Sequence, residues 1–154
     1  MRVFMNRRRW LGWMAALVAL PLAPLRRARA QTEVQTAALE AMVRKLTGGA
    51  PLQRGRVQLD IPTLADNGNS VSLKVAVDGT AGRVRSIHLF APRNPRPNLA
   101  NFYFGAGAGR AQVSTRIRLS GSQSVLAIAA LEDGSFWSAS ADVAVTVSAC
   151  WDAS

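Results

Sequence analysis

The sequence predicts an all-β fold: an immunoglobulin-like antiparallel β-sandwich with a short N-terminal α-helix. Three observations carry this. Between residues 51 and 147, apolar residues recur at every second position in short segments, the period of a half-buried strand. Clusters of Gly, Asn, Asp and Ser interrupt those segments at roughly 8–12-residue intervals, the spacing of a sandwich. After residue 50, no stretch has helical periodicity.

Residues 31–50 read as the helix and its linker. Val34, Ala37, Ala38, Ala41, Met42 and Leu46 follow helical spacing and predict one apolar stripe over Gln31 to Leu46. Thr32 can cap it, with Gln35 as capping-box partner, and Gly48, Gly49 and Pro51 end it. A helix this short is marginal in isolation, so it must dock on its own domain or on a partner.

Residues 51–147 read as the sandwich. Val57, Leu59 and Ile61 predict the first strand, and Asp66-Asn67-Gly68-Asn69 a turn. Val71, Leu73, Val75 and Val77 alternate with polar residues, and Asp78-Gly79 turns the chain. Val84 to Phe90 follows, with Val84, Ser86, His88 and Phe90 on one face. Pro92, Pro95 and Pro97 make a rigid connection unsuited to a central strand. A short aromatic segment, Asn101 to Phe104, leads into the glycine-rich loop 105–109. Ala111 to Leu119 alternates again, with Gln112, Ser114, Arg116 and Arg118 on the polar face. Ser124 to Leu131 is almost wholly apolar and predicts a buried central strand. Phe136 to Ser140 and Val143 to Val147 complete about eight strands, within the usual count for this fold.

The 154 residues suit one domain. They include one Cys and one His, which excludes an intramolecular disulfide framework and a Cys-rich zinc site. A multi-histidine metal centre or a His-based triad is equally hard to build, so neither metal nor cofactor is expected. The formal net charge of +10 points at first to nucleic acid or an anionic membrane. The position of the charges changes that reading. Residues 1–30 hold seven arginines and no acid, around an apolar run from Trp10 to Leu20. A basic segment, an apolar segment and then Ala28-Arg29-Ala30 is the order of a cleavable export signal, with cleavage expected after Ala30. Arg7-Arg8-Arg9-Trp10-Leu11 resembles the twin-arginine export motif, with Arg7 and Arg8 as the arginine pair. Removing those seven arginines from the 19 basic residues leaves 12 against nine acids, a net charge of +3. A mature protein so balanced is expected to be periplasmic, with no nucleic-acid partner and no membrane association.

The candidates for chemistry are few. The loop 105–109 lacks the Gly-Lys-Ser/Thr ending and following helix of a phosphate loop. His88 has no evident second ligand and reads as a strand histidine satisfied by a neighbour. Arg116 and Arg118 form either a solvated face or an anion-recognising, partner-facing patch. Trp137 reads as core or subunit interface. The acids are scattered over turns and strand ends, so no paired-carboxylate site emerges. Cys150 stands out because it follows the last predicted strand, on the segment 148–154, where a structural Cys is unusual. A thiol on a protruding tail suits handing a group to another protein. The other reading is an incidental Cys packed under Trp151.

The stretches Val57-Gln58-Leu59-Asp60-Ile61-Pro62, Asp66-Asn67-Gly68-Asn69-Ser70-Val71, Ser86-Ile87-His88-Leu89-Phe90-Ala91 and Gly109-Arg110-Ala111-Gln112-Val113-Ser114-Thr115-Arg116-Ile117-Arg118-Leu119 carry a further signal. With Asn94-Pro95 and Pro97, they make residues from about 33 to 150 resemble the SoxY family, sulfur carriers of the periplasmic thiosulfate-oxidising system. The resemblance implies a twin-arginine-exported sandwich with an N-terminal helix, in a heterodimer with a SoxZ-like subunit. It also implies a covalent sulfur intermediate on Cys150, presented to periplasmic sulfur-oxidising enzymes. Such a protein is not itself an enzyme, because the redox and hydrolytic steps belong to its partners.

The family's arm reads Gly-Gly-Cys-Gly-Gly. Here Ser148, Ala149, Trp151 and Asp152 flank Cys150, so all four glycines are replaced. The arm is more similar to a SoxY-related branch with Ala-Ala-Cys-Ile-Glu. Trp151 is bulky where a glycine arm presents only backbone, and Asp152 sets a negative charge near the sulfur. These differences imply a different client enzyme or cargo from standard SoxY. The alternative is a non-carrier paralogue that serves as a binding or assembly module.

Overall fold

The computed structural model describes residues 36–79 and 83–150. The export signal with Arg7, Arg8, Ala28 and Ala30, the predicted start of the helix with Thr32, Val34 and Gln35, and Trp151 and Asp152 lie outside the described residues. Among those described are one helix, α1 (residues 36–47), and nine strands. The strands are β1 (Leu52–Arg54), β2 (Val57–Asp60), β3 (Leu64–Asn67), β4 (Val71–Val77), β5 (Val84–Phe90), β6 (Asn98–Tyr103), β7 (Gln112–Ile117), β8 (Gln123–Leu131) and β9 (Phe136–Val147). No helix among the described residues is long and apolar enough to cross a membrane.

Two sheets form the sandwich. The smaller has the order β2-β4-β7, entirely antiparallel. The larger has the order β1-β9-β8-β5-β6, with β3 added along the far half of β9. Alternation explains the inner face: Val71, Leu73, Val75 and Val77 of β4 are all buried, and the polar residues between them point outward. They pack with Ile117 and Leu119 against Ile87, Leu89, Val125, Ala127, Ala129 and Val143 of the larger sheet. The central strand β8 is apolar from Val125 to Leu131 because both of its faces are covered there. Val125, Ala127 and Ala129 enter the inter-sheet core, whereas Leu126, Ile128 and Ala130 enter a second cluster on the outer face. There they meet Phe90, Phe136 and the helix residues Leu39, Val43 and Leu46.

The structure corrects four details of the sequence reading. The buried stripe of α1 is Leu39, Val43 and Leu46, whereas Ala37, Ala38, Ala41 and Met42 are exposed. Three larger side chains bury more apolar area than a row of alanines, and the helix turns accordingly. The predicted face Val84–Ser86–His88–Phe90 breaks at a bulge between Val84 and Ser86, which sends Val84 into the inter-sheet core. The segments 136–140 and 143–147 are one continuous strand, β9. Asp66 and Asn67 belong to β3, and the turn itself is residues 68–69. Both β1 and β3 run parallel to β9, so a mainly antiparallel sandwich has two short parallel pairings.

Candidate functional site

β9 delivers the chain to Cys150, and four hydrogen bonds, three of them between backbone groups, fix where it arrives. The Gly68 N–H donates to the Val147 carbonyl at 2.7 Å, and the Leu119 N–H donates to the Gly68 carbonyl at 2.8 Å. The Ala149 N–H then donates to the Leu119 carbonyl at 3.0 Å. Finally, the Cys150 N–H donates to Oδ1 of Asn69 at 3.3 Å. The end of β9, the turn after β3 and the segment after β7 are therefore laced together beneath residue 150. Ala149 is buried, and the next residue, Cys150, is exposed with a free thiol.

Gly68 is the residue this arrangement requires. A Cβ there would collide with the Leu119 carbonyl oxygen and lie 2.9 Å from the Ala149 nitrogen. Its neighbours are held by their own side chains. Asn67 Oδ1 accepts from the Asn69 N–H at 2.9 Å and from Asn69 Nδ2 at 3.0 Å. This Asx-type turn leaves Asn69 Oδ1 facing the Cys150 amide. The segment after β9 was expected to protrude from its first residue. It is instead tied down through Ala149, because burying that methyl and pairing both amides is favourable.

The remaining sequence candidates separate clearly. Ser148 is exposed and stands near Gly121. Arg116 of β7 and Arg118 just beyond its end are exposed, and Arg116 Nη1 donates to Ser70 Oγ at 3.3 Å. With Arg96 they line a cleft of about 250 Å³ between β7 and β6. His88 is buried on the opposite sheet, paired through Nε2 with Ser86 Oγ at 2.9 Å and through Nδ1 with Asn101 Oδ1 at 2.8 Å. Ser86 is itself buried, so this chain of bonds closes on itself and offers no exposed nucleophile. Trp137 packs against the core and carries Arg56 over its ring at 4.7 Å. Among the described residues, no group of three His, Cys, Asp or Glu side chains could hold a metal ion. Gly68, Asn69 and Leu119 were not singled out as site residues from the sequence. The Asn67-Gly68-Asn69 run signalled a turn, but the strand end it would meet lies 80 residues away.

A sequence comparison with curated proteins gives no match. Among solved structures, the sulfur carrier protein SoxY from Chlorobium limicola f thiosulfatophilum is similar, with a TM-score of 0.61 and 24% identity. The match covers 73% of this chain and 99% of that one. A superoxide reductase (neelaredoxin) from Ignicoccus hospitalis matches with a TM-score of 0.52 and 19% identity, over 59% of this chain and 80% of that one. At these identities both likenesses show the fold only. The model of the family "Sulfur oxidation protein SoxY" matches residues 43–150, from the middle of α1 to the exposed cysteine itself. The match spans most of the chain and ends on the residue to which the sandwich leads, and on that ground the chain belongs to the SoxY family.

Proposed function

We propose that this chain is a periplasmic sulfur carrier that holds a sulfur-compound intermediate covalently on Cys150 and presents it to partner sulfur-oxidation enzymes. One observation carries the reading: the exposed thiol of Cys150 follows directly on a buried, hydrogen-bonded Ala149. Such a thiol has a fixed base and an open reactive end, as a carrier requires. With thiosulfate as cargo, the Cys150 thiolate and thiosulfate join through a new S–S bond. Two electrons leave to a partner's electron acceptor, and no group is expelled. Water then attacks the terminal sulfonate sulfur, releasing sulfate and two protons and leaving a persulfide on Cys150. The carrier supplies attachment and position, and its partners supply oxidation and hydrolysis.

The surrounding expectations belong to the same proposal. Residues 1–30, with Arg7, Arg8, Ala28 and Ala30, act as the twin-arginine export signal and are removed. The mature chain pairs with a SoxZ-like subunit. Trp151 and Asp152 adapt the arm to a client that accepts a bulky, acidic flank. The test is intact-protein mass of the periplasmic chain after growth on thiosulfate. A thiosulfonate or persulfide adduct is expected on the wild type and is lost in Cys150→Ser. If Cys150 never carries an adduct, the carrier reading fails. The second reading, a non-carrier binding or assembly module, is favoured by the replacement of all four arm glycines around Cys150. It requires that Cys150→Ser keep full function in the cell.

A further inference from the structure

The basic cleft beside the arm has no role in the carrier reading as stated. Its lining includes Arg96, Asn98, Thr115, Arg116 and Arg118, and no carboxylate. Three guanidinium groups gathered without a neutralising acid repel one another, and that cost is relieved when an anion enters. The volume, about 250 Å³, lies below the roughly 300–1,000 Å³ of drug-sized ligand pockets and suits a small group. The neighbouring cleft on the other side of Arg116 contains Asp60 and Lys74 together, so the uncompensated charge belongs to the β6–β7 side.

Two routes, each made of one peptide step and hydrogen bonds, connect the arginines to the base of the arm. Arg116 donates to Ser70, and the preceding residue, Asn69, accepts the Cys150 amide. Adjacent Cα atoms lie only ~3.8 Å apart. Arg118 directly precedes Leu119, whose carbonyl accepts the Ala149 amide. Arg118 is thus one residue from a group bonded to the base of the arm, and Arg116 is hydrogen-bonded to a side chain one residue from another.

We infer that Arg116 and Arg118, at the arm end of this cleft, receive the terminal oxyanion of the group carried on Cys150. The inference rests on the carrier reading and adds the side chains that hold the outer end of the cargo. Arg116 spends one contact on Ser70, and a guanidinium has five N–H donors in a planar fork that matches sulfonate oxygens. A persulfide offers a single terminal sulfur and cannot engage that fork. The fork therefore engages the sulfonate-ended adduct and not the persulfide that hydrolysis leaves. The two arginines are positioning residues, since the covalent bond forms at Cys150.

The experiment compares the rates at which Cys150 of the mature chain reacts with two methanethiosulfonate reagents. One bears a sulfonatoethyl head and the other a trimethylammonium head. The wild type is expected to favour the sulfonate reagent. The preference should fall by about tenfold in the Arg116→Gln/Arg118→Gln double variant, and in the wild type at high salt. Lys45→Gln, on the exposed side of α1, should leave it unchanged. Both substituted arginines are exposed, so the thermal midpoint is expected to hold. A preference that survives the double substitution overturns the inference. If Cys150 is still loaded in the periplasm of that variant's parent, the carrier reading stands without it. A Cys150 that is never loaded is detected by mass, independently of these rates.

Discussion

The two ends of β9 are built differently. At the first, Phe136 is buried, faces Ala130 of β8 in register and meets Leu52 of β1 on the other side. The helix residues Leu39, Val43 and Leu46 cover that region. At the second, Val147 is 58% exposed, β3 supplies a short parallel pairing, and separate hydrogen bonds replace the ladder beyond it. A ladder with an apolar cover resists opening as one unit, whereas isolated bonds at a rim open locally. One strand thus serves both purposes: its first half holds the sandwich together, and its last residues hold a thiol outside it.

That contrast can be broken from either end. Ile128→Ala removes a fully buried side chain between β8 and α1 and should cost about 2–5 kcal/mol in denaturant unfolding. The reaction rate of Cys150 in the folded protein should not change. A rate that rises with the loss of stability would mean the two ends are one cooperative unit. Gly68→Ala acts at the other end. Its methyl meets the Leu119 carbonyl and the Ala149 amide, so about 1–3 kcal/mol of overpacking is expected. Hydrogen exchange at Ala149 should accelerate far more than at Ile128. Equal acceleration at both positions would remove the distinction.

Legibility in the sequence follows the same division. β4 and the inner residues of β7 were legible because each has a period of two with one dominant face, whereas β5 was legible as a strand but not in its faces, since a bulge breaks them and nearly all of its residues are buried. The buried centre of β8 was legible from its apolar run. β1 and β3 were not, because LQR and LADN hold no apolar alternation, whereas the equally short β2 is extended by Ile61 into a Val57, Leu59, Ile61 pattern. The helix stripe was misplaced because alanines fit helical spacing as well as Leu39 and Val43 do, and only the opposing sheet decides between them. Cys150 was legible as a singular residue at a singular position. Its setting was not, since it depends on Gly68, Asn69 and Leu119, which meet it only through tertiary pairing.

A finer test removes the side-chain acceptor under the thiol. Asn69→Ala deletes the acceptor of the Cys150 amide and the donor to Asn67 at an exposed site. A loss of about 0.5–1 kcal/mol is expected, the usual net worth of such a bond. Relaxation measurements should show the Cys150 amide gaining mobility while the Ala149 amide, bonded to Leu119, keeps its order. If both amides loosen together, Asn69 is a support of the whole base rather than of its last residue.

The smallest expected effect lies at the opposite end, where a side chain caps the turn into β9. Oδ1 of Asp133 accepts the Ser135 amide at 2.8 Å, as Oδ1 of Asn69 accepts that of Cys150. The two differ in charge. Hydrogen bonds from the Ser135 side chain and backbone hold the Asp133 carboxyl below its ordinary value of 3.8, with lesser help from Arg56 and Arg83. A carboxyl depressed in the folded state contributes stability that is fully present above 3.8 and is lost as pH falls through the lower folded value. The turn before β9 should therefore keep its strength from neutral pH down to that range and weaken only below it. The group is fully exposed, so Asp133→Asn should barely move the unfolding midpoint at neutral pH, and should flatten the acid dependence. The Ser135 amide resonance should titrate with a midpoint under 3.8 in the wild type and lose that inflection in the variant. An inflection that persists in Asp133→Asn would assign the acid response to another carboxyl and leave the cap with no electrostatic part.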